Sequence, residues 1–382
     1  LLLHNAVQIL SEETSYTDNY RFIGSFWAEA QIIKGLTVRA SYNNDSAYTY
    51  DYIYYNQNHP YAADKGRILD RNRFVMTNTI DLYANYNRKI GEDFELGAMV
   101  GHSFLKTKSR TSYIDAQNYP SPAFDVASVA ANIVDASAGL SEYAIESYFA
   151  RLSLAYKDRY VVNATIRTDG SSRFAPNTRW GYFPAASVGW RMSDESFLRD
   201  VKWVDDLKIR ASVGQTGNAQ IGNSEYLALY GSTNIDLGNG LTSQVYPTQI
   251  ANNDLGWEKN TQYNVGLDVS LWRGTLGFTA DYYYSKTTDM LFDVPVSSVS
   301  GLTSSNVNIG SMQNKGIELA LTSRRSFGDF SYAFAANWSL NRNKVLSLGD
   351  ENADIIKESS YAGGYYLTRV GQPVGCYYLL VQ

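Results

Sequence analysis

The sequence predicts an all-β, transmembrane antiparallel β-barrel fold. Three observations predict it: period-two alternation in segment after segment, connections that alternate short and long, and apolar strand faces without charge. The clearest segment begins at Thr261, where Tyr263, Val265, Leu267, Val269 and Leu271 share one face and Gln262, Asn264, Gly266, Asp268 and Ser270 the other. Successive side chains of a strand point to opposite faces, so this stretch presents one greasy and one wet side.

In chain order, weaker patterns begin near Phe22, Leu36 and Met76, and a firm one holds Phe94, Leu96, Ala98 and Val100 against Glu95 and Gly97. Next come Tyr148, Ala150, Leu152, Leu154 and Tyr156, then Tyr160, Val162, Ala164 and Ile166. The stretch DGSSRFAPNTRWGYFPAASVGW (169–190) joins a polar turn to a strand with Tyr182, Pro184, Ala186, Val188 and Trp190 on one face. Leu207 to Val213, Leu276 to Tyr284, Ile317 to Leu321 and Phe330 to Leu340 repeat the alternation. Together they predict about a dozen strands, many of roughly 9–11 residues, the length that crosses a bilayer at a tilt.

The connections discriminate further. Lys34-Gly35, 87–93, Lys157–Arg159, 192–205, Arg273-Gly274 and 323–329 are short or moderate. They alternate with longer stretches at 45–73, 104–145, the DGSSRF loop, 216–257, 286–314 and 342 onward. In a meander, alternate connections lie at opposite ends, and short turns at one end with long loops at the other is the habit of outer-membrane barrels. A soluble β-sandwich, which composition alone favours, has no reason to sort its loops this way. A Lys or Arg on the lipid face near the midplane costs about 2–4 kcal/mol, and the apolar faces named above carry none. Asp268, Arg151, Lys208 and Arg210 sit on the other face, suited to a wet lumen. Trp180 and Tyr182 at one end and Trp190 at the other suit the two aromatic girdles.

Composition agrees. Tyr (31), Phe (15) and Trp (7) make 14% of the chain, and rings with one apolar and one wet end suit a membrane boundary. A net charge of −5 offers nothing to nucleic acid, and one cysteine, Cys376, excludes an internal disulfide framework. No apolar run approaches 18 residues, so no transmembrane helix is expected, and the opening LLLHNAVQIL lacks the marks of a signal peptide.

No catalytic set, cofactor motif or metal site is expected. His4, His59 and His102 lack ligand spacing, and His102 reads as a barrel-end residue. The acidic run of Asp350, Glu351 and Asp354 lacks the order of a calcium loop and reads as solvated. Arg173 either faces the lumen as a cation or holds its own loop; the surrounding Asp169, Gly170, Ser171 and Ser172 favour the loop. The tyrosine-rich stretch 42–61 is the candidate substrate surface, with Tyr52, Tyr54 and Tyr55 as contact residues, because sugar rings stack on aromatic faces. An upper aromatic girdle is the competing reading.

Residues 169–198 (DGSSRFAPNTRWGYFPAASVGWRMSDESFL) closely resemble the signature of SusC-like TonB-dependent transporters of Bacteroidota. So do LKIRASVGQTGNAQIG (207–222), the stretch NNDLGWEKNTQYNVGLDVSLWRGTLGFTADYYYSKTTDML (252–291) and NIGSMQNKGIELAL (308–321). The resemblance implies an outer-membrane barrel of about 22 strands with an N-terminal plug. It also implies import of oligosaccharides or peptides driven by TonB, and a SusD-like surface lipoprotein closing over the barrel. On this basis residues 1–382 are expected to be a partial β-barrel domain, the middle of a longer polypeptide, with the plug and TonB-contacting segment outside it. Expected partners are the lipoprotein, the TonB complex, the imported solute and outer-membrane lipid. The alternatives are a siderophore or cobalamin receptor without a lipoprotein lid, or an outer-membrane adhesin or enzyme.

Overall fold

Alternation becomes strand wherever the sequence carries it, and strand continues where alternation has faded. The computed structural model describes residues 5–62, 65–236, 238, 240–296, 299, 301–302, 304–349, 351–358 and 364–379. After a short helix at Ala6–Ser11 come five long strands: β1 (Glu13–Ile33), β2 (Leu36–Tyr55), β3 (Arg67–Ile90), β4 (Phe94–Gln117) and β5 (Asn132–Tyr156). Then follow β6 (Tyr160–Ser171), β7 (Trp180–Arg191), β8 (Val204–Asn218), a hairpin of β9 (Leu229–Asp236) and β10 (Leu241–Gln249), β11 (Glu258–Leu271) and β12 (Leu276–Thr288). A second hairpin, β13 (Leu291–Pro295) and β14 (Ser304–Asn308), precedes β15 (Ser311–Phe327) and β16 (Phe330–Ser347). Three short strands end the chain: β17 (Ile355–Glu358), β18 (Tyr365–Thr368) and β19 (Cys376–Tyr378).

One sheet takes 12 strands in the order β1-β2-β3-β4-β5-β6-β7-β8-β11-β12-β15-β16. It is a meander, with β9–β10 and β13–β14 as side hairpins in two of the long connections. The registers are antiparallel and keep like with like. Val265 on β11 faces Ala211 on β8 and Tyr282 on β12, one residue from the polar row in which Gly266 faces Arg210 and Asp281. A one-residue slip would exchange the two faces along the whole ladder.

The first five strands are 20–25 residues long, not the expected 9–11. Most of 45–73 and 104–145, expected to be loop, is strand. The reason is physical: beyond the lipid neither face must be apolar, so Tyr, Asn and Asp occupy both and the period-two hydropathy signal disappears while the backbone ladder continues.

The chain divides into two units. One comprises Leu1–Glu29, Arg39–Leu82 and Ser103–Ile145 and holds those extended strand halves; the other comprises Ala30–Val38, Tyr83–His102 and Glu146–Gln382. Among the described residues neither has a conventional core along the strands. Buried apolar side chains gather near the long connections: Tyr52, Ile68, Ala116 and Tyr119 in the first unit, Phe174, Phe183, Ala219, Leu255 and Trp257 in the second, with Val345, Leu348 and Ile355 apart. Val162, Ile166, Tyr182, Val188 and Val265 are instead 45–63% exposed. Stripes of that kind are an aggregation liability in water and are at home against acyl chains.

The short turns are built for reversal. Lys157 and Asp158 both take positive φ, as do Arg273 and Gly274, the geometry that matches strand twist in a two-residue turn. At Gly35 φ is +88°, and a Cβ would stand 2.3 Å from the Asn87 carbonyl oxygen, so only glycine fits. Among the described residues no helix is long and apolar enough to cross a membrane.

Candidate functional site

At the long-loop end of the second unit, the four stretches that carry the family resemblance meet. The Phe174 ring is fully buried and lies 5.5 Å from that of Trp257; Phe183 meets the same indole edge-on at 5.3 Å. Two glycines admit this stack. A Cβ on Gly217 would lie 2.2 Å from Phe183 Cζ, and one on Gly181 2.4 Å from it. Hydrogen bonds close the knot: Trp257 Nε1 donates to the Arg179 carbonyl at 2.7 Å, and Thr178 Oγ1 donates to that of Leu255 at 2.6 Å. Arg173 donates to Asn223 Oδ1 and to the Ala219 carbonyl, both at 2.9 Å, so it ties the 171–180 loop to the start of the 219–257 connection. That is the loop-holding reading of Arg173. The Asn308 side chain accepts from Gly256 N–H at 2.7 Å and donates to the Gly256 and Asp289 carbonyls, bringing in the fourth stretch.

In the first unit the tyrosine-rich stretch is mostly strand β2, and its three candidate residues point different ways. Tyr52 is buried, stacks on Tyr16 at 5.1 Å and donates its hydroxyl to the Asp125 carbonyl at 2.6 Å. Tyr54, on the same face, reaches the Pro122 carbonyl at 3.4 Å and meets Tyr119 edge-on. Tyr55 has the opposite parity and stacks on His59 at 4.5 Å. Burial pushes the Tyr119 hydroxyl up to about 12. Tyr52 and Tyr54 thus hold the 118–131 loop, and the half-buried Tyr55 and exposed Tyr61 frame His59.

The polar face of β8, β11, β12 and β15 carries a charge row. Register places Arg210, Gly266, Asp281 and Glu318 side by side on four strands. Arg210 lies across Gly266, where a Cβ would stand 2.5 Å from Cζ, and donates to Asp281 Oδ2 at 2.6 Å and Asp268 Oδ2 at 3.1 Å. Asp281 Oδ1 is buried without a hydrogen-bond partner among the described residues.

The aromatic girdles are contiguous. Near the short turns, rings run Phe94–Tyr156–Tyr160–Trp190 with centroids 4.6, 6.2 and 6.3 Å apart. Glu195 caps this row, accepting from the Tyr160 hydroxyl at 2.6 Å and from Trp190 Nε1 at 3.2 Å; these two bonds, the first the stronger, hold its carboxyl below the usual range. Toward the long loops, His102, Tyr148 and Trp180 form a second row at 4.8 and 6.1 Å. Glu146 accepts from Tyr148 at 2.8 Å and pairs with His102 at 3.2 Å. Between Tyr148 and Tyr156, β5 rises about 27 Å, or roughly 21 Å along a membrane normal at a 40° tilt, close to the apolar band of such barrels. In the acidic run, Asp354 is clamped by Arg369, whose hydrogen bonds hold its carboxyl down; Glu351 is exposed, and Asp350 lies outside the described residues.

Trp257, the two glycines beside it, Glu195 and the Arg210 row were not singled out as sites from sequence. Their one signal is glycine inside strand patterns, as in QTGN and RWGYF, which marks a close approach without naming what approaches.

Residues 5–372 match the family described as TonB dependent receptor-like, beta-barrel. TonB-dependent receptor P39 of Formosa agariphila is 30% identical over 379 residues, 96% of this chain and 35% of its own length. TonB-dependent receptor SusC of Bacteroides thetaiotaomicron is 31% identical over 287 residues, 73% of this chain and 28% of its own. The chain therefore spans about a third of the length of the curated relatives it matches. Among solved structures, that of the RagAB peptide transporter superposes with a TM-score of 0.86 at 26% identity, covering 95% of this chain and 40% of that one. The siderophore receptor PiuA of Acinetobacter baumannii reaches 0.56 at 12% identity and shares the fold alone. With its twelve-strand meander, its paired girdles and the signature stretches knotted at one end, the chain belongs to the TonB-dependent receptor-like β-barrels of the outer membrane and, within them, is SusC-like.

Proposed function

We propose that residues 1–382 are part of the barrel of an outer-membrane importer that takes up oligosaccharides or peptides, driven by TonB and working with a SusD-like surface lipoprotein. The observation that carries this reading is the loop-end knot. It is built from the same stretches that make the chain SusC-like, and it holds three connections in fixed positions where solute would arrive. In this reading the chain supplies wall and loops and carries out no reaction of its own. The likeness to the RagAB peptide transporter supports a peptide as cargo, and the SusC-like signature implies a glycan as the other cargo and a lipoprotein as lid.

The tyrosines belong to the same proposal in two roles. Tyr55 offers a ring to solute, while Tyr52 and Tyr54 keep the 118–131 loop in place for it.

The test is purification of the native protein from detergent-solubilised outer membrane with mass spectrometry of what co-elutes, joined to growth of a deletion strain on single glycans, peptides, ferric siderophores and cobalamin. A co-eluting lipoprotein and lost growth on a glycan or peptide are expected. No lipoprotein, with growth lost only on an iron source or cobalamin, would replace this reading with that of a siderophore or cobalamin receptor.

A further inference from the structure

The first unit carries a basic ladder on its outward face that neither the wall nor the loop knot uses. On β4 the residues sharing parity with the lipid-facing Phe94, Leu96, Ala98 and Val100 continue past His102 and Phe104 as Lys106, Lys108 and Arg110. Outward residues of β5 at this level include Glu142, Leu140 and Ala138. Both lysines reach Glu142, at 3.2 and 3.0 Å. Arg110 is exposed and, among the described residues, has no ion pair. It stands at a groove of about 500 Å³ lined by Tyr48, Asn72, Phe74, Ser112 and Leu140. Asp70, of the same parity on β3, is taken by Asn72 at 2.9 Å and Tyr50 at 3.3 Å.

Three cations therefore face two carboxylates, one of them shared by two lysines, and the surplus sits on Arg110 beside apolar surface. Charge and lining decide what meets it. A basic cluster beside apolar surface attracts anionic lipid, whose headgroup is charged and whose chains are apolar. The groove's apolar lining continues the lipid-facing side of the same strands.

We infer that the Lys106–Lys108–Arg110 ladder and its groove form a site for a phosphorylated, acylated lipid of the outer leaflet. Phosphate takes Arg110 and the lysines, which remain free to turn from Glu142, and the adjoining chain or sugar lies against Phe74 and Leu140. An arginine fork suits phosphate oxygens in pairs. The inference rests on the outer-membrane reading of this face and is independent of which solute is imported.

The test uses the full-length native transporter from outer membrane. Bisphosphorylated lipid A in detergent micelles is titrated against the wild type, the K106Q/K108Q/R110Q variant and a K34Q control at the opposite end. Binding is read by native mass spectrometry, with dephosphorylated lipid A and inorganic phosphate as further probes. The expected result is binding by wild type and K34Q, a loss of about tenfold or more in the triple variant, and little binding of the dephosphorylated lipid. Equal binding by wild type and triple variant would overturn the inference. Competition by inorganic phosphate at matching concentration would reduce the site to an anion site, and loss of a co-eluting protein with lipid binding unchanged would assign the face to a protein partner. R110Q alone, expected to weaken binding severalfold, serves if the triple variant fails to insert. Growth on the imported solute, measured in the same strains, separates failure of this site from failure of the import reading.

Discussion

Trp257 and Gly217 show how much one residue can hold at the loop end. The indole packs against Phe174 and Phe183 and its N–H closes on Arg179. Replacing Trp257 by Ala should cost about 3–5 kcal/mol, the range for a buried Trp. Gly217→Ala should also destabilise, because the added methyl must displace Phe183 or the backbone. Urea unfolding in lipid vesicles measures both, and a wild-type midpoint for either would remove the knot from the account. Glu195 makes a pH prediction. Its carboxyl is held below its unfolded value by Tyr160 and Trp190. The stabilisation is therefore present above the unfolded pKa of about 4.3 and is lost as pH falls through the lower folded value. Stability of the wild type should drop more steeply below about pH 4 than that of Glu195→Gln. Parallel pH profiles for the two proteins would mean the cap contributes nothing.

At the scale of strands, register does what single residues cannot. Arg210, Gly266 and Asp281 are separated in sequence and meet because two ladders place them in one row. Arg210→Ala should cost about 1–2 kcal/mol, since Asp281 is left mostly buried while the arginine itself is about a third exposed and screened by water. Gly266→Ala pushes the guanidinium off its seat, so the two substitutions act on one interaction. A double-mutant cycle should give a coupling of about 0.5–3 kcal/mol; strict additivity would show that the glycine serves the backbone alone. The two faces of a strand differ just as sharply. Val188→Arg, on the apolar face of β7, should cost about 2–4 kcal/mol, and Ser187→Arg, its neighbour on the polar face, far less. Vesicle unfolding distinguishes them, and equal costs would mean that the lipid-facing side has been assigned wrongly.

Over the whole molecule, what can be read in advance follows the solvent. Where lipid lies on one side and water on the other, every second residue must be apolar, and β6, β7, β8, β11, β12, β15 and β16 are legible in the sequence for that reason. The alternation of short and long connections is legible too, since it is a matter of length. The upper halves of β1–β5 are not, because water bathes them and Tyr, Asn and Asp serve either face. Nor is the division of labour among Tyr52, Tyr54 and Tyr55: parity separates Tyr55 from the other two, but only the fold sets Asp125 and Pro122 opposite their hydroxyls. By itself the sequence determined an antiparallel membrane meander, its apolar face and its two ends, since each is a local consequence of period and solvent. Only the tertiary structure decided that Trp257 meets Phe174, that Arg210 spans to Asp281, and that Arg110 of β4 stands at a groove. Those depend on ladder register and loop docking, which join residues that no local pattern connects.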